Sequence, residues 1–164
     1  MARLDINWRR ATIADARAMG DLIYNSAGEE MEDIYNINIY KVYRDIAIAL
    51  IQQDFDPRTQ MLAIAEVDGA MVGWSWVVRN GYTFWSEDES AEMRIVQCQS
   101  DLPTRLKVKF VNAALDMSEL WAQLQRIPVM ISGCIMRNYL GYVKLHLRRG
   151  YTARGSMCYK RFKA

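Results

Sequence analysis

The sequence predicts one α/β (α+β mixed sheet) domain over residues 1–164. Three observations lead to this fold class. A hydrophobic fraction of 51% in 164 residues is that of a globular chain with a single core. Asp68-Gly69, a dipeptide that suits a tight hairpin turn, separates two apolar runs. Apolar residues at helical spacing run from Leu106 to Leu124. Strands and long helices therefore occur in the same chain.

The N-terminal third predicts a strand followed by two helices. We expect the strand over Ile6–Arg10 and the first helix after Thr12, because a threonine hydroxyl suits a helix N-cap. A loop is expected over Ser26–Met31. The second helix is expected over Asn38–Gln53, and the proline-containing segment Asp54–Arg58 ends it.

The centre of the chain predicts a three-strand meander. Met61–Val67 and Ala70–Val78 flank the hairpin turn and are expected to pair as antiparallel strands. Glu92–Cys98 alternates in polarity, which is typical of a further strand of the same sheet.

The last third predicts helix, strand, helix and strand. The longest helix is expected from Pro103 to about Arg126, because proline fits the first turn of a helix. A strand over Val129–Ile135 and a helix over Asn138–Arg149 should follow, and Gly150 suits the left-handed position after a helix. Met157–Phe162 is expected to form the final strand.

Composition and charge exclude several classes of function. The formal net charge of +2 argues against a nucleic-acid or membrane partner, since those partners need clustered positive charge. The N-terminal segment lacks the apolar core of a signal peptide, which predicts a cytoplasmic location. The single histidine and the wide spacing of Cys98, Cys134 and Cys158 indicate that there is no zinc site.

Three segments resemble the GNAT superfamily of N-acetyltransferases. Trp8–Ala16 resembles the opening strand and helix of that family, and Ala65–Gly73 resembles its second and third strands. Leu145–Tyr151 resembles its closing Leu-Tyr-x-x-x-Gly-Phe motif. The predicted order of elements also follows the GNAT plan over essentially the whole chain.

The resemblance implies acetyl-CoA as the acyl donor, with one departure from the family pattern. In the family, a glycine-containing loop of the type Arg/Gln-x-x-Gly-x-Gly/Ala holds the pyrophosphate at the start of the third helix, where backbone amides and the helix dipole suit an anion. The corresponding stretch Gln99–Lys109 contains no glycine, so the loop is degenerate. The candidate cofactor-binding residues in this stretch are Arg105, Leu106, Lys107 and Lys109.

The resemblance also implies catalytic positions. Aligning on Gly150-Tyr151 places His146 where the family has a tyrosine that protonates the departing CoA thiolate, and histidine titrates near neutrality. Tyr142 and Tyr139, about one and two turns earlier, are alternative acids. Glu92 is the candidate general base.

Acidic residues also fall at the expected acceptor site. Glu29-Glu30 lies where the family recognises its acceptor, and two carboxylates there could attract a cationic amine.

Two functions remain open from the sequence. The first is an acyl-CoA-dependent N-acyltransferase that moves an acetyl group to a small-molecule or protein amine. The second is a catalytically inactive GNAT-fold structural or interaction protein that binds a protein partner, for example in a phage particle or another assembly. The missing glycines and the five tryptophans support the second. The first is the leading hypothesis, because departures from the phosphate-loop pattern can be tolerated. Either function is compatible with a homo-oligomer.

Overall fold

The computed structural model describes residues 5–31, 34–134 and 139–154. Five strands and four α-helices lie within these ranges. The strands are β1 (Asn7–Arg10), β2 (Gln60–Val67), β3 (Ala70–Tyr82), β4 (Glu89–Cys98) and β5 (Val129–Ser132). The helices are α1 (Ala16–Met31), α2 (Ile39–Phe55), α3 (Thr104–Leu124) and α4 (Leu140–Arg148). The predicted mixed α/β fold is therefore confirmed.

The five strands form one sheet in the order β1-β2-β3-β4-β5. The first four strands pair antiparallel, and β5 runs parallel to β4. The predicted hairpin turn joins β2 to β3, with φ angles of 51° at Asp68 and 78° at Gly69. Positive φ at both central residues is the conformation whose twist matches that of paired strands.

Helices cover both faces of the sheet. On one face, the buried side chains of α1 and α2 pack against Trp74 and Trp76 of β3. On the other face, α3 packs Phe110, Ala114 and Trp121 against β2, β3 and β4. The side chains alternate between the two faces along each strand, as the pleat of a β-sheet requires.

The strand pair β4–β5 is short. The pairing joins four residues of each strand, Ser90–Met93 of β4 and Val129–Ser132 of β5, whereas β4 continues to Cys98. A register shift in the β3–β4 pair leaves Arg94 as an extra residue immediately after Met93. Beyond that bulge, β4 has no strand partner on its β5 side within the part of the chain that the structure describes. The sheet therefore opens between β4 and β5.

Several predicted boundaries need correction. The loop expected over Ser26–Met31 is wrong, because α1 continues to Met31. A glycine inside a helix costs only about 1 kcal/mol, which a long helix packed on a sheet can tolerate. Strand β3 extends beyond Val78 to Tyr82, since its pairing with β4 continues that far. Strand β5 ends at Ser132 rather than Ile135.

Two further predictions concern the C-terminal part of the chain. The helix α4 begins at Leu140, and Asn138, the predicted first residue, lies outside the described residues. Gly150 follows the helix with a φ of 87°, as predicted. The final strand over Met157–Phe162 lies outside the described residues. Among the residues that are described, no helix is long and apolar enough to cross a membrane.

Candidate active site

A hydrogen-bonded cluster of Ser132, Tyr142 and His146 lies beside the opening between β4 and β5. Ser132 is the last paired residue of β5 and stands opposite Met93 of β4. The Ser132 Oγ lies 2.7 Å from the Tyr142 hydroxyl and 3.0 Å from His146 Nε2. The other ring nitrogen, His146 Nδ1, lies 2.9 Å from the main-chain carbonyl oxygen of Tyr142.

The partners of His146 determine its tautomer. A main-chain carbonyl oxygen can only accept a hydrogen bond, so Nδ1 carries the proton and donates it. In the neutral ring, Nε2 then has a free lone pair and accepts from the Ser132 hydroxyl. Because the serine proton is used in that bond, the Tyr142 hydroxyl donates to Ser132 Oγ.

Burial keeps His146 neutral. The side chain is 7% exposed, and this burial lowers its pKa below the usual value of 6.5 because it disfavours the charged ring. Nearby Arg149 lowers the pKa further, while the bond to the Tyr142 carbonyl and the charge of Glu119 raise it. Burial also raises the pKa of the Tyr142 phenol, so this group stays protonated. At neutral pH the cluster therefore contains a serine hydroxyl that donates to an unprotonated imidazole nitrogen.

Helix α3 holds the cluster in place through Glu119. Its carboxylate accepts from the Arg149 guanidinium at 2.8 Å and from the Tyr151 hydroxyl at 3.0 Å. The Tyr151 ring in turn packs edge-on against the His146 ring, with 4.8 Å between the ring centroids. The imidazole is therefore fixed by packing on one side and by hydrogen bonds at both nitrogens.

Glu92, the predicted general base, lies on the opposite face of the sheet from this cluster. The neighbouring Met93 packs against α3, so the pleat directs Glu92 toward the α1–α2 face. There its carboxylate lies 3.6 Å from the guanidinium of Arg94, which stacks over the Trp76 ring. Glu92 and the cluster therefore lie on opposite faces of the sheet, on either side of β4.

The first two turns of α3 carry the predicted cofactor-binding residues. Arg105 and Lys109 are exposed one turn apart. The Lys107 ammonium donates to the carbonyl oxygen of Ser100 at 2.6 Å. Leu106 packs in the core beside Phe110, and its amide donates to the Pro103 carbonyl oxygen at 2.8 Å. Leu106 therefore offers neither its side chain nor its amide to a ligand in this structure.

The other predicted site residues are only partly described. Glu29 and Glu30 belong to the last turn of α1 rather than to a loop, and their side chains are not described. Tyr139 is exposed at the N-terminus of α4. Cys98 and Cys134 are half-buried and form no disulfide with another described residue. No group of three metal-ligating side chains occurs among the residues described.

The prediction from sequence missed Ser132. Its only signal was a polar residue inside the otherwise apolar run Val129–Ile135. A single serine in a strand has many structural explanations. It indicates a functional site only once the structure places it beside Tyr142 and His146 of α4.

Comparisons with known proteins identify the fold. No protein-family model matches the chain, and no curated protein matches its sequence. Solved structures do match. A predicted acetyltransferase from Clostridium acetobutylicum, solved with acetyl-CoA, superposes with a TM-score of 0.72 at 12% identity over 96% of both chains.

Two further structures give similar agreement. The ribosomal-protein-alanine N-acetyltransferase from Brucella melitensis biovar Abortus 2308 has a TM-score of 0.66 at 14% identity, covering 97% of this chain and 100% of its own. The glucosamine-6-phosphate N-acetyltransferase from Arabidopsis thaliana has a TM-score of 0.66 at 13% identity, and the match covers 97% of this chain and 99% of its own. At such low identity the likeness establishes the fold alone, and that fold is the one of the GNAT acetyltransferases.

Proposed function

We propose that the protein is an N-acyltransferase that moves an acyl group from a CoA thioester to a primary amine. The observation that supports this most directly is the position of the Ser132–Tyr142–His146 cluster at the point where β4 and β5 separate. A proton-transfer cluster beside an opening in a sheet can act on a substrate bound in that opening. The structural neighbours are consistent with this reaction at the level of the fold.

The start of α3 can hold the phosphates of CoA. The N-terminus of this 21-residue helix has no side-chain cap, so its dipole and first amides are not neutralised by a side chain. Arg105 and Lys109 are exposed nearby and could pair with phosphate oxygens. Asp101 adds an exposed negative charge to the same segment, but the net formal charge of Gln99–Lys109 is still positive. The residues therefore fit an anionic donor despite the absent glycines.

The reaction needs a proton acceptor for the amine and a proton donor for the thiolate. Glu92, on the α1–α2 face, can accept the amine proton directly or through water. The Tyr142 hydroxyl can donate to the thiolate. Neutral His146 carries no proton on Nε2, so it can protonate the thiolate only after it has taken up a proton itself. Glu29 and Glu30 remain our candidates for attracting a cationic acceptor.

Calorimetric titration with acetyl-CoA and with CoA tests the proposal. We expect micromolar binding that weakens at least tenfold in Arg105→Ala/Lys109→Ala, because two phosphate contacts are lost. The control Arg17→Ala/Arg44→Ala removes two exposed positive charges from α1 and α2 and should leave binding unchanged. No binding at millimolar concentration in the wild-type protein would refute the proposal.

One observation favours the alternative of a non-catalytic interaction protein. The end of β3 and the segment that follows it expose three aromatic side chains: Tyr82 is 70% exposed, Phe84 93% and Trp85 77%. Phe84 and Trp85 pack only edge to face, at a centroid distance of 4.9 Å. Exposed aromatic side chains in one segment are typical of protein-binding surfaces. If CoA does not bind, this segment is the place to search for a protein partner.

A further inference from the structure

Ser132 and His146 form the arrangement of a nucleophile and its base. The hydroxyl oxygen lies 3.0 Å from Nε2, within the ordinary range of a hydrogen bond. A third group, the Tyr142 carbonyl, holds the imidazole through Nδ1 at 2.9 Å. This combination of a hydroxyl, a base and a group that orients the base is the arrangement by which serine is activated for covalent catalysis.

The surroundings of Ser132 permit attack on a bound substrate. The residue is half-buried, whereas His146 behind it is buried. It terminates the paired part of β5, directly opposite Met93 and beside the bulge at Arg94. Beyond that bulge, β4 has no strand partner on its β5 side within the described residues, so the opening in the sheet begins beside Ser132.

The same geometry explains where His146 obtains a proton. The imidazole is neutral and its Nε2 faces the Ser132 hydroxyl, so the serine is the proton source in direct contact with it. A serine that gives up this proton becomes a nucleophile at the same moment. His146 can therefore act as a proton donor toward the thiolate once Ser132 has been deprotonated.

We propose that Ser132 is a nucleophile that accepts the acyl group from a thioester and carries it as an O-acyl serine. Ser132 Oγ attacks the thioester carbonyl carbon, forming an oxygen–carbon bond, and its proton passes to His146 Nε2. The carbon–sulfur bond then breaks, and the leaving thiolate takes the proton from Nε2. The products of this half-reaction are the acyl-serine and a free thiol.

The second half-reaction returns the serine to its starting state. An amine attacks the acyl-serine carbonyl and passes its proton to His146 Nε2. The bond from Oγ to the carbonyl carbon breaks, and the serine oxygen takes the proton back from Nε2. The net result is the acyl transfer proposed above, so the identity of the donor as a CoA thioester depends on the proposed function. The activation of Ser132 by His146 does not depend on the identity of the donor.

Mass spectrometry of the intact, untagged protein tests the proposal. After mixing with isotopically labelled acetyl-CoA and acid quenching without an amine, we expect one acetyl group, located on Ser132 by peptide fragmentation. Ser132→Ala should carry no label, and His146→Gln should acquire it at least 100-fold more slowly. Ser86→Ala, which removes a serine hydroxyl from the segment between β3 and β4, is the matched control and should label as the wild type does.

A fluorophosphonate probe, which reacts with activated serines and needs no CoA site, provides the second measurement. Labelling of Ser132 that requires His146 supports the nucleophile even if calorimetry detects no CoA, and in that case only the proposed donor is wrong. If CoA binds but neither reagent modifies Ser132, the nucleophile is refuted and direct transfer to the amine stands. Circular dichroism of each variant shows that loss of label is not loss of fold.

Discussion

At the scale of single residues, the buried side chain of Gln53 completes the hydrogen bonding at the edge of the sheet. Its amide group lies between β2 and the residue that follows β1. Gln53 Oε1 accepts from the amide of Leu62, and Nε2 donates to the carbonyl oxygen of Ala11 at 3.1 Å. The amide of Ala11 itself donates to the Leu62 carbonyl oxygen at 3.0 Å. One side chain of α2 therefore replaces a missing main-chain hydrogen bond of the ladder.

Replacing Gln53 by alanine should destabilise the protein by about 2–4 kcal/mol, because a buried N–H and a buried C=O both lose their partner. Urea unfolding measures this free energy. Gln52→Ala is the matched control, since Gln52 is exposed on the same helix and its partner Gln60 also donates to the Ala49 carbonyl oxygen. Equal losses of unfolding free energy in Gln53→Ala and Gln52→Ala would contradict the role assigned to Gln53.

At the scale of secondary-structure elements, the close approach of α3 to the sheet depends on the absence of a side chain at Gly73 of β3. A Cβ atom added to Gly73 would lie 2.5 Å from Phe110 of α3 and 2.7 Å from the main-chain oxygen of Gln97 in β4. Because the second contact is with backbone, it cannot be relieved by a change of rotamer. Gly73 therefore sets the distance between β3, β4 and α3.

We expect Gly73→Ala to lower the free energy of unfolding by about 1–3 kcal/mol through overpacking. Gly141→Ala provides the opposite case, because an added Cβ in α4 meets no atom within 4 Å. Alanine should stabilise that helix position by about 0.5–1 kcal/mol. Thermal unfolding of both variants checks the prediction, and a stabilised Gly73→Ala variant would show that α3 can move away from the sheet without cost.

The sequence predicted these elements well where the pattern was local. The hairpin, both strands beside it and the stripe of α3 follow from turn chemistry and periodicity over fewer than twenty-five residues. The end of α1 was missed because Ser26 and Gly28 are typical of loops, whereas the structure continues the helix through them. Tertiary packing overrode a weak local preference there.

At the scale of the whole molecule, α4 is joined to α3 by a network of ion pairs. The Arg149 guanidinium, which follows α4, bonds Asp116 at 2.6 Å and Glu119 at 2.8 Å. The Arg149 side chain is only 20% exposed, so water screens this pair less than it screens a surface ion pair. This network fixes the position of α4 and hence of His146 relative to β5.

Arg149→Ala should loosen α4 without unfolding the sheet. We expect amide hydrogens of α4 to exchange about tenfold faster, which corresponds to about 1.4 kcal/mol of local stability, while amides of β2 and β3 keep their protection. Hydrogen exchange followed by mass spectrometry measures both regions in one experiment. Arg148→Ala, which removes the exposed neighbouring arginine, should have no such effect. Uniform acceleration over the chain would mean that the network stabilises the whole fold rather than α4.

The sequence by itself determined the order of the described elements, the hairpin turn and the choice of His146 and Tyr142 as candidates. These depend on periodicity, turn residues and motifs, which are local properties of the chain. Only the tertiary structure decided that Ser132 lies against His146, 14 positions away, and that Glu92 lies on the other face of the sheet. Hydrogen-bond partners on different elements depend on how β5 and α4 pack against β4 and α3, and no local pattern encodes that packing.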